Sequence, residues 1–191
     1  MLDTLNPQKG KPINHGMPMK IGGLTLMELM VTVAIMAILV VLAMPSFSAL
    51  LARGRLSGAA EGLAQDLQLA KSEALRSNAD VTISFSSGGA WCYGTVATAI
   101  ACDCTVANSC ALRRTDSGAF AGVTMAAPTF AGNAATFTAR QGLANTGMVD
   151  FNHPNAGTLR VSVGEAGQTT PSSQVRICST SGGLGHHPAC P

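Results

Sequence analysis

An α+β fold, with one long N-terminal helix ahead of an antiparallel β-sheet domain, is predicted by three observations. Residues 24–44 form an apolar run broken only by Thr25, Glu28 and Thr32. Leu56, Ala60, Leu63, Leu67, Ala70 and Ala74 then recur at alternating spacings of four and three, which is one apolar stripe on a helix. From Asp80 the period changes. Val81, Ile83 and Phe85 alternate with polar residues, and Ser86-Ser87-Gly88-Gly89 supplies a turn.

Each element follows in order. The 21 residues from Leu24 to Met44, at about 1.5 Å each, reach about 30 Å, the thickness of a bilayer core. Lys9, Lys11 and Lys20 precede the run, while Arg53 and Arg55 follow it. The lysines favour a cytoplasmic N-terminus, and one such run means a single pass. Glu28 is the costly member, because an acidic side chain at mid-bilayer costs about 2.5–3.5 kcal/mol to insert. Such a carboxylate needs a partner. Pro45 removes one backbone hydrogen bond and is expected to kink the helix. Residues 45–79 continue as the amphipathic half, with Asp66, Glu73 and Arg76 off the stripe. Gly54, Gly58 and Gly62 lack side chains, which would let neighbouring helices approach in an assembly. Asn78 is the expected stop.

Residues 80–191 read as a globular domain of short strands. Apolar runs lie at Val81–Phe85, Trp91–Val96, Phe120–Met125, Ala135–Ala139, Gly147–Phe151, Leu159–Val163 and Val175–Cys178, with Gly, Asn, Ser and Pro between them. One antiparallel sheet packed on the amphipathic half of the helix is the expected arrangement.

Only 12% of residues are charged, which suits a subunit buried among copies of itself. The net charge of +2 belongs to residues 1–23, since residues 24–191 carry nine Lys or Arg and nine Asp or Glu. A neutral product lacks the broad basic footprint of a strong nucleic-acid binder. All six cysteines, Cys92, Cys102, Cys104, Cys110, Cys178 and Cys190, follow the apolar run. An even number confined to the exported side reads as disulfides. Fifteen pairings exist, and Cys178 with Cys190 is favoured because it closes a C-terminal loop, worth about 3 kcal/mol in chain entropy. Zinc on Cys102-Asp103-Cys104 and His186-His187 is the competing reading, but the spacing matches no standard site. No metal or cofactor is therefore expected. Asp150 and His153 lie near each other, yet no nucleophile elbow, phosphate loop or metal motif accompanies them. An enzyme is not expected, and there is no catalytic residue to name.

Gly23-Leu24-Thr25-Leu26-Met27-Glu28, running into an uninterrupted apolar segment, resembles the class III signal of type IV pilins and pseudopilins. Trp91-Cys92-Tyr93-Gly94, the cluster from Cys102 to Cys110, and Val175-Arg176-Ile177-Cys178-Ser179 resemble the FimT/GspH-type minor pilins. The resemblance implies a type IV pilin-like fold and a leader of residues 1–23 cut by a prepilin peptidase between Gly23 and Leu24. It implies methylation of the new N-terminus at Leu24, and pairing of Glu28 with the terminal amine of an adjacent subunit. Pro45 stands where the family kinks its helix. Other minor and major pilins become the expected partners, in the bacterial inner membrane with a periplasmic C-terminal domain. A pilus subunit and a type II secretion pseudopilin share this signal. Some members bind DNA during uptake through a glycine-Arg-x-Arg motif. Here the aligned segment is Ser173-Gln174-Val175-Arg176, which keeps Arg176 as a candidate DNA contact, with Arg160 and the His186-His187 loop in support.

The processing reading is tested by N-terminal sequencing of membrane-extracted protein. The expected product begins at Leu24. A product beginning at Met1, Met17 or Pro45 would overturn it.

Overall fold

The computed structural model describes residues 23, 25–165, 167–182 and 186–191, with the backbone alone at 43–46. Leu24, the residues ahead of Gly23 that are expected to be a leader, and the Pro45 side chain lie outside this description. Two compact units make up the chain, Met1–Leu42 and Ala43–Pro191. Helix α1 covers Leu26–Ser77, 52 residues. Thr25 caps it, for the Glu28 backbone N–H donates to Thr25 Oγ1 at 3.2 Å and to the Thr25 carbonyl at 3.1 Å. Thr-x-x-Glu is also the sequence of a helix capping box. At the other end Asn78 takes the left-handed conformation with φ 50°, which stops a helix at little steric cost for asparagine.

No single described helix is long and apolar enough to cross a membrane; Leu26–Leu42 and Phe47–Ser77 together have that length and composition.

Within the second unit the strands are β1 (Val81–Ser86), β2 (Cys92–Val96), β3 (Arg113–Asp116), β4 (Thr124–Met125), β5 (Ala134–Phe137), β6 (Gly147–His153), β7 (Gly157–Val163) and β8 (Val175–Ser179). They form two four-stranded sheets, ordered β3-β2-β1-β5 and β4-β6-β7-β8, rather than one. All pairings are antiparallel, with Ile83 opposite Thr95, Val149 opposite Val161 and Ser162 opposite Arg176. The turn after β1 bridges the sheets. Gly88 N–H donates to the Met125 carbonyl at 2.8 Å, and Met125 N–H returns a bond to Gly88 at 3.1 Å. The sequence pattern missed β3 because Arg113-Arg114-Thr115-Asp116 has no apolar alternation. It is an edge strand whose outer side meets solvent.

Every member of the predicted stripe is buried: Leu56, Ala60, Leu63, Leu67, Ala70 and Ala74 are at most 1% exposed. Opposite them stands an aromatic layer. Trp91 is fully buried and packs against Tyr93, Phe120 and Phe151 with ring centroids 6.2, 5.8 and 5.2 Å away. Its indole N–H donates to the Val123 carbonyl at 2.9 Å. Each large side chain taken fully out of water contributes about 1.5–3 kcal/mol, so this layer dominates the core. Two of the helix glycines face this layer. A Cβ at Gly58 would press on the Phe120 ring at 3.2 Å, and one at Gly62 would meet the Tyr93 hydroxyl at 3.6 Å.

Asp66, off the apolar stripe, is nevertheless buried. It is 4% exposed, accepting the Tyr93 hydroxyl proton at 3.0 Å and lying 3.1 Å from the Arg113 guanidinium. Burial raises its pKa above the ordinary aspartate value, against the opposing pull of the Tyr93 hydrogen bond and Arg113. Tyr93 is raised as well, first by burial.

With the folded pKa of Asp66 above the unfolded one, the carboxyl holds its proton more tightly in the folded chain. The resulting stabilisation is complete below about pH 3.9, the unfolded value, and is lost as pH rises through the raised one. Asp66→Asn removes this titration while keeping an acceptor for Tyr93. Relative to that variant, the wild type should lose thermal stability between acid and neutral pH. A difference in Tm that is independent of pH, or that grows in favour of the wild type as pH rises, would overturn the assignment.

Candidate functional site

Two regions hold the residues that the sequence singles out. The first is the start of α1. Gly23 is exposed and outside the helix, and Glu28 sits in the first turn, also exposed. The helix beyond it is apolar on all sides. Leu26, Met30, Ile35, Leu39, Leu42 and Leu50 are each more than half exposed. Such a helix is covered in its working state by lipid or by other protein.

The second region is the face of β6, β7 and β8. Arg160 stands opposite Asp150 in the β6–β7 register and donates to both carboxylate oxygens, at 2.7 and 2.8 Å. That hydrogen bonding raises the guanidinium pKa further above its ordinary value. Arg176 lies 3.2 Å from the Glu165 carboxylate and donates to Gln174 Oε1 at 3.2 Å. Both arginines border one cavity of about 680 Å³, together with Glu165, Gln168, Ile177 and Pro188. Each of these arginines faces a carboxylate that sequence spacing did not link to it. Asp150 was visible as the cross-strand neighbour once the register is known; Glu165, in the loop after β7, carried no local signal.

The cysteines form three disulfides: Cys92–Cys104, Cys102–Cys110 and Cys178–Cys190. The first ties the long loop between β2 and β3 to Cys92 of β2, and the second closes a ring within that loop. Gly94 makes room for them, since a Cβ there would overlap the Cys110 side chain. Asp103, between two of these cysteines, is a turn residue. Its Oδ1 accepts from the Thr105 hydroxyl at 2.6 Å and from the Thr105 N–H at 2.9 Å. The hydroxyl chiefly, and then the N–H, hold its carboxyl below the usual range. Thiolate ligands are thus spent, so zinc on Cys102 and Cys104 is ruled out by the disulfides. His186 and His187 lie instead beside Glu61 of α1, a residue that sequence spacing did not link to them. His153 is buried, and its Nδ1 accepts from the Asn155 N–H at 3.2 Å. It is the last residue of β6, paired with Gly157 of β7, and Asp150 is committed to Arg160.

Comparison with known proteins bears on the second region. No curated protein matches this chain. Among solved structures, the type IV minor pilin FimU of Pseudomonas aeruginosa strain PAO1 is similar in two crystal forms. One has 22% identity and a TM-score of 0.44, covering 66% of this chain and 94% of that one. The other has 27% identity and a TM-score of 0.42, covering 64% and 93%. A family model described as type II transport protein GspH matches residues 59–183. That match takes in the buried stripe of α1 from Ala59, both sheets and the first two disulfides. It spans well over half of the sequence, and the chain accordingly belongs to the GspH family of pilin-like proteins.

Proposed function

We propose that the chain is a minor pilin, a pseudopilin-type subunit that contributes to assembly of a type IV pilus or to its tip or priming complex. The observation that carries this reading is the apolar surface of α1, exposed on all sides from Leu26 to Leu42, with Glu28 as its lone carboxylate. A bilayer covers that surface before assembly, and the helices of neighbouring subunits cover it afterwards. In this reading residues 1–23 are removed by a prepilin peptidase, residues 24–44 anchor the chain in the inner membrane, and residues 80–191 are periplasmic. Glu28 then meets the methylated amine of Leu24 on an adjacent subunit, because a carboxylate in apolar surroundings strongly favours a nearby cation. A second reading, a pseudopilin of a type II secretion machine, is favoured by the family's own description. The identity of the pilins that co-purify with the chain separates the two.

Glu28→Leu should insert into the membrane at least as well as the wild type, since the charge is gone. Its recovery with partner pilins should nevertheless fall at least about tenfold. An amine left unpaired in an apolar seam costs about 3–5 kcal/mol. Undiminished co-purification would remove Glu28 from assembly.

Support for DNA uptake is weaker, because Arg160 and Arg176 already face Asp150 and Glu165. With detergent-solubilised full chain, Arg176→Ala and Gln174→Arg are expected to change DNA affinity less than about twofold. A loss on Arg176→Ala, a gain on Gln174→Arg and a salt slope changed by about one would instead establish a phosphate contact.

A further inference from the structure

The C-terminal loop and α1 bring three metal-ligating atoms together. His186 Nε2 and His187 Nε2 each lie 3.2 Å from the same oxygen, Glu61 Oε1. All three donor atoms are within 4.8 Å of one another. In a tetrahedral zinc site with bonds of about 2.0–2.1 Å, neighbouring donors sit roughly 3.3 Å apart. The two histidine-to-carboxylate separations match that spacing.

The burial of His187 points the same way. Its side chain is only 7% exposed, yet Nε2 makes no hydrogen bond, despite its distance from Glu61. The oxygen is near, but no N–H is directed at it. A buried polar nitrogen without a partner costs about 1–3 kcal/mol, and a cation between it and the carboxylate would remove that cost. The imidazole rings lie 4.0 Å apart and tilted by 43°, so consecutive histidines turn the same edge toward one point.

The backbone fixes this arrangement from behind. The Cys178–Cys190 disulfide closes the loop. Ser179 N–H donates to the Pro188 carbonyl at 2.7 Å, and Cys190 N–H donates to Ser179 at 2.9 Å. The residue after His187 is therefore tied to the end of β8. Glu61 stands on a rigid helix, at the edge of a groove of about 410 Å³ between α1 and β8. His186 is 75% exposed on its side chain, which leaves the fourth coordination position open to water.

We propose that Glu61, His186 and His187 bind one divalent transition-metal cation, of which Zn²⁺ is the probe, and that the ion clamps the disulfide-closed C-terminal loop onto α1. Two imidazole nitrogens and one carboxylate oxygen suit Zn²⁺, with Cu²⁺ and Ni²⁺ as competitors of the same ligand class.

The test uses full-length chain in detergent, stripped with chelator and titrated with Zn²⁺ by calorimetry. One ion per chain is expected. Glu61→Gln and His186→Ala alter exposed or half-exposed side chains, and each should weaken binding at least about 100-fold, more than loss of an outer-shell partner would. His187→Ala should do the same, but its buried position makes the other two variants decisive. Zn²⁺ should also protect amides of residues 186–190 from hydrogen exchange in the wild type and not in Glu61→Gln. Absence of stoichiometric binding by the wild type, or equal affinity in Glu61→Gln and His186→Ala, would overturn the site.

Discussion

Everything in the second unit depends on the seam between a helix of small residues and a layer of aromatic rings. The helix contributes Ala52, Ala59, Ala60, Ala70 and Ala74 beside three leucines, all buried. Across from it stand Phe85, Trp91, Tyr93, Phe120, Phe130, Phe137 and Phe151, seven of the eight aromatic residues in the chain. Small against large lets the helix axis approach the sheets without voids, which is how interiors reach their density. Trp91 has the central place because its ring touches residues of both sheets while its N–H is satisfied by Val123. A domain with so few aromatic residues concentrates them where one helix and two sheets meet.

That seam also explains which features were legible in the sequence. The stripe from Leu56 to Ala74 follows the period of a helix, and burial enforces the period, so reading one gives the other. Strands β1, β6, β7 and β8 were equally plain because one face of each is apolar. Strand β3 was not, since its order comes from pairing with β2 and from crosslinks in the preceding loop, neither of which leaves an alternating pattern. The burial of Asp66 left no trace in the sequence for a related reason: its partners, the Tyr93 hydroxyl and Arg113, arrive from β2 and β3. Gly58 gave no sign of the Phe120 ring it faces, because that contact is set by the fold and not by spacing along the helix.

The candidate site shows the same division. Residue types and their order along the chain were readable, whereas pairings across the fold were not. Cationic residues near the last strand suggested phosphate binding, yet the folded domain places a carboxylate against each of two arginines. Arg160 and Asp150 are exchanged across one ladder, a relation set by register. Arg176 and Glu165 meet from β8 and from the loop after β7, a pairing that no local pattern announces. A nearly neutral chain thus becomes locally neutral as well, which fits a subunit whose surfaces are covered by protein more closely than one whose surface tracks a polyanion.

Disulfide bonding decides how the remaining polar chemistry is distributed. Six cysteines locked in three bridges leave no thiolate among the described residues, so any ligand chemistry falls to oxygen and imidazole nitrogen. One bridge holds a long loop to β2 and a second closes a ring within that loop, packed where only a glycine at position 94 leaves space. The third holds a short loop whose histidines face a helix. In the first case the crosslink substitutes for a hydrophobic core that a polar loop cannot supply. In the second it fixes two imidazoles over a carboxylate, at the edge of the helix that also carries the apolar N-terminal run. The same α1 therefore presents apolar surface along its first part and an organised polar contact farther on. Sequence period dictates the former; only the closed loop creates the latter.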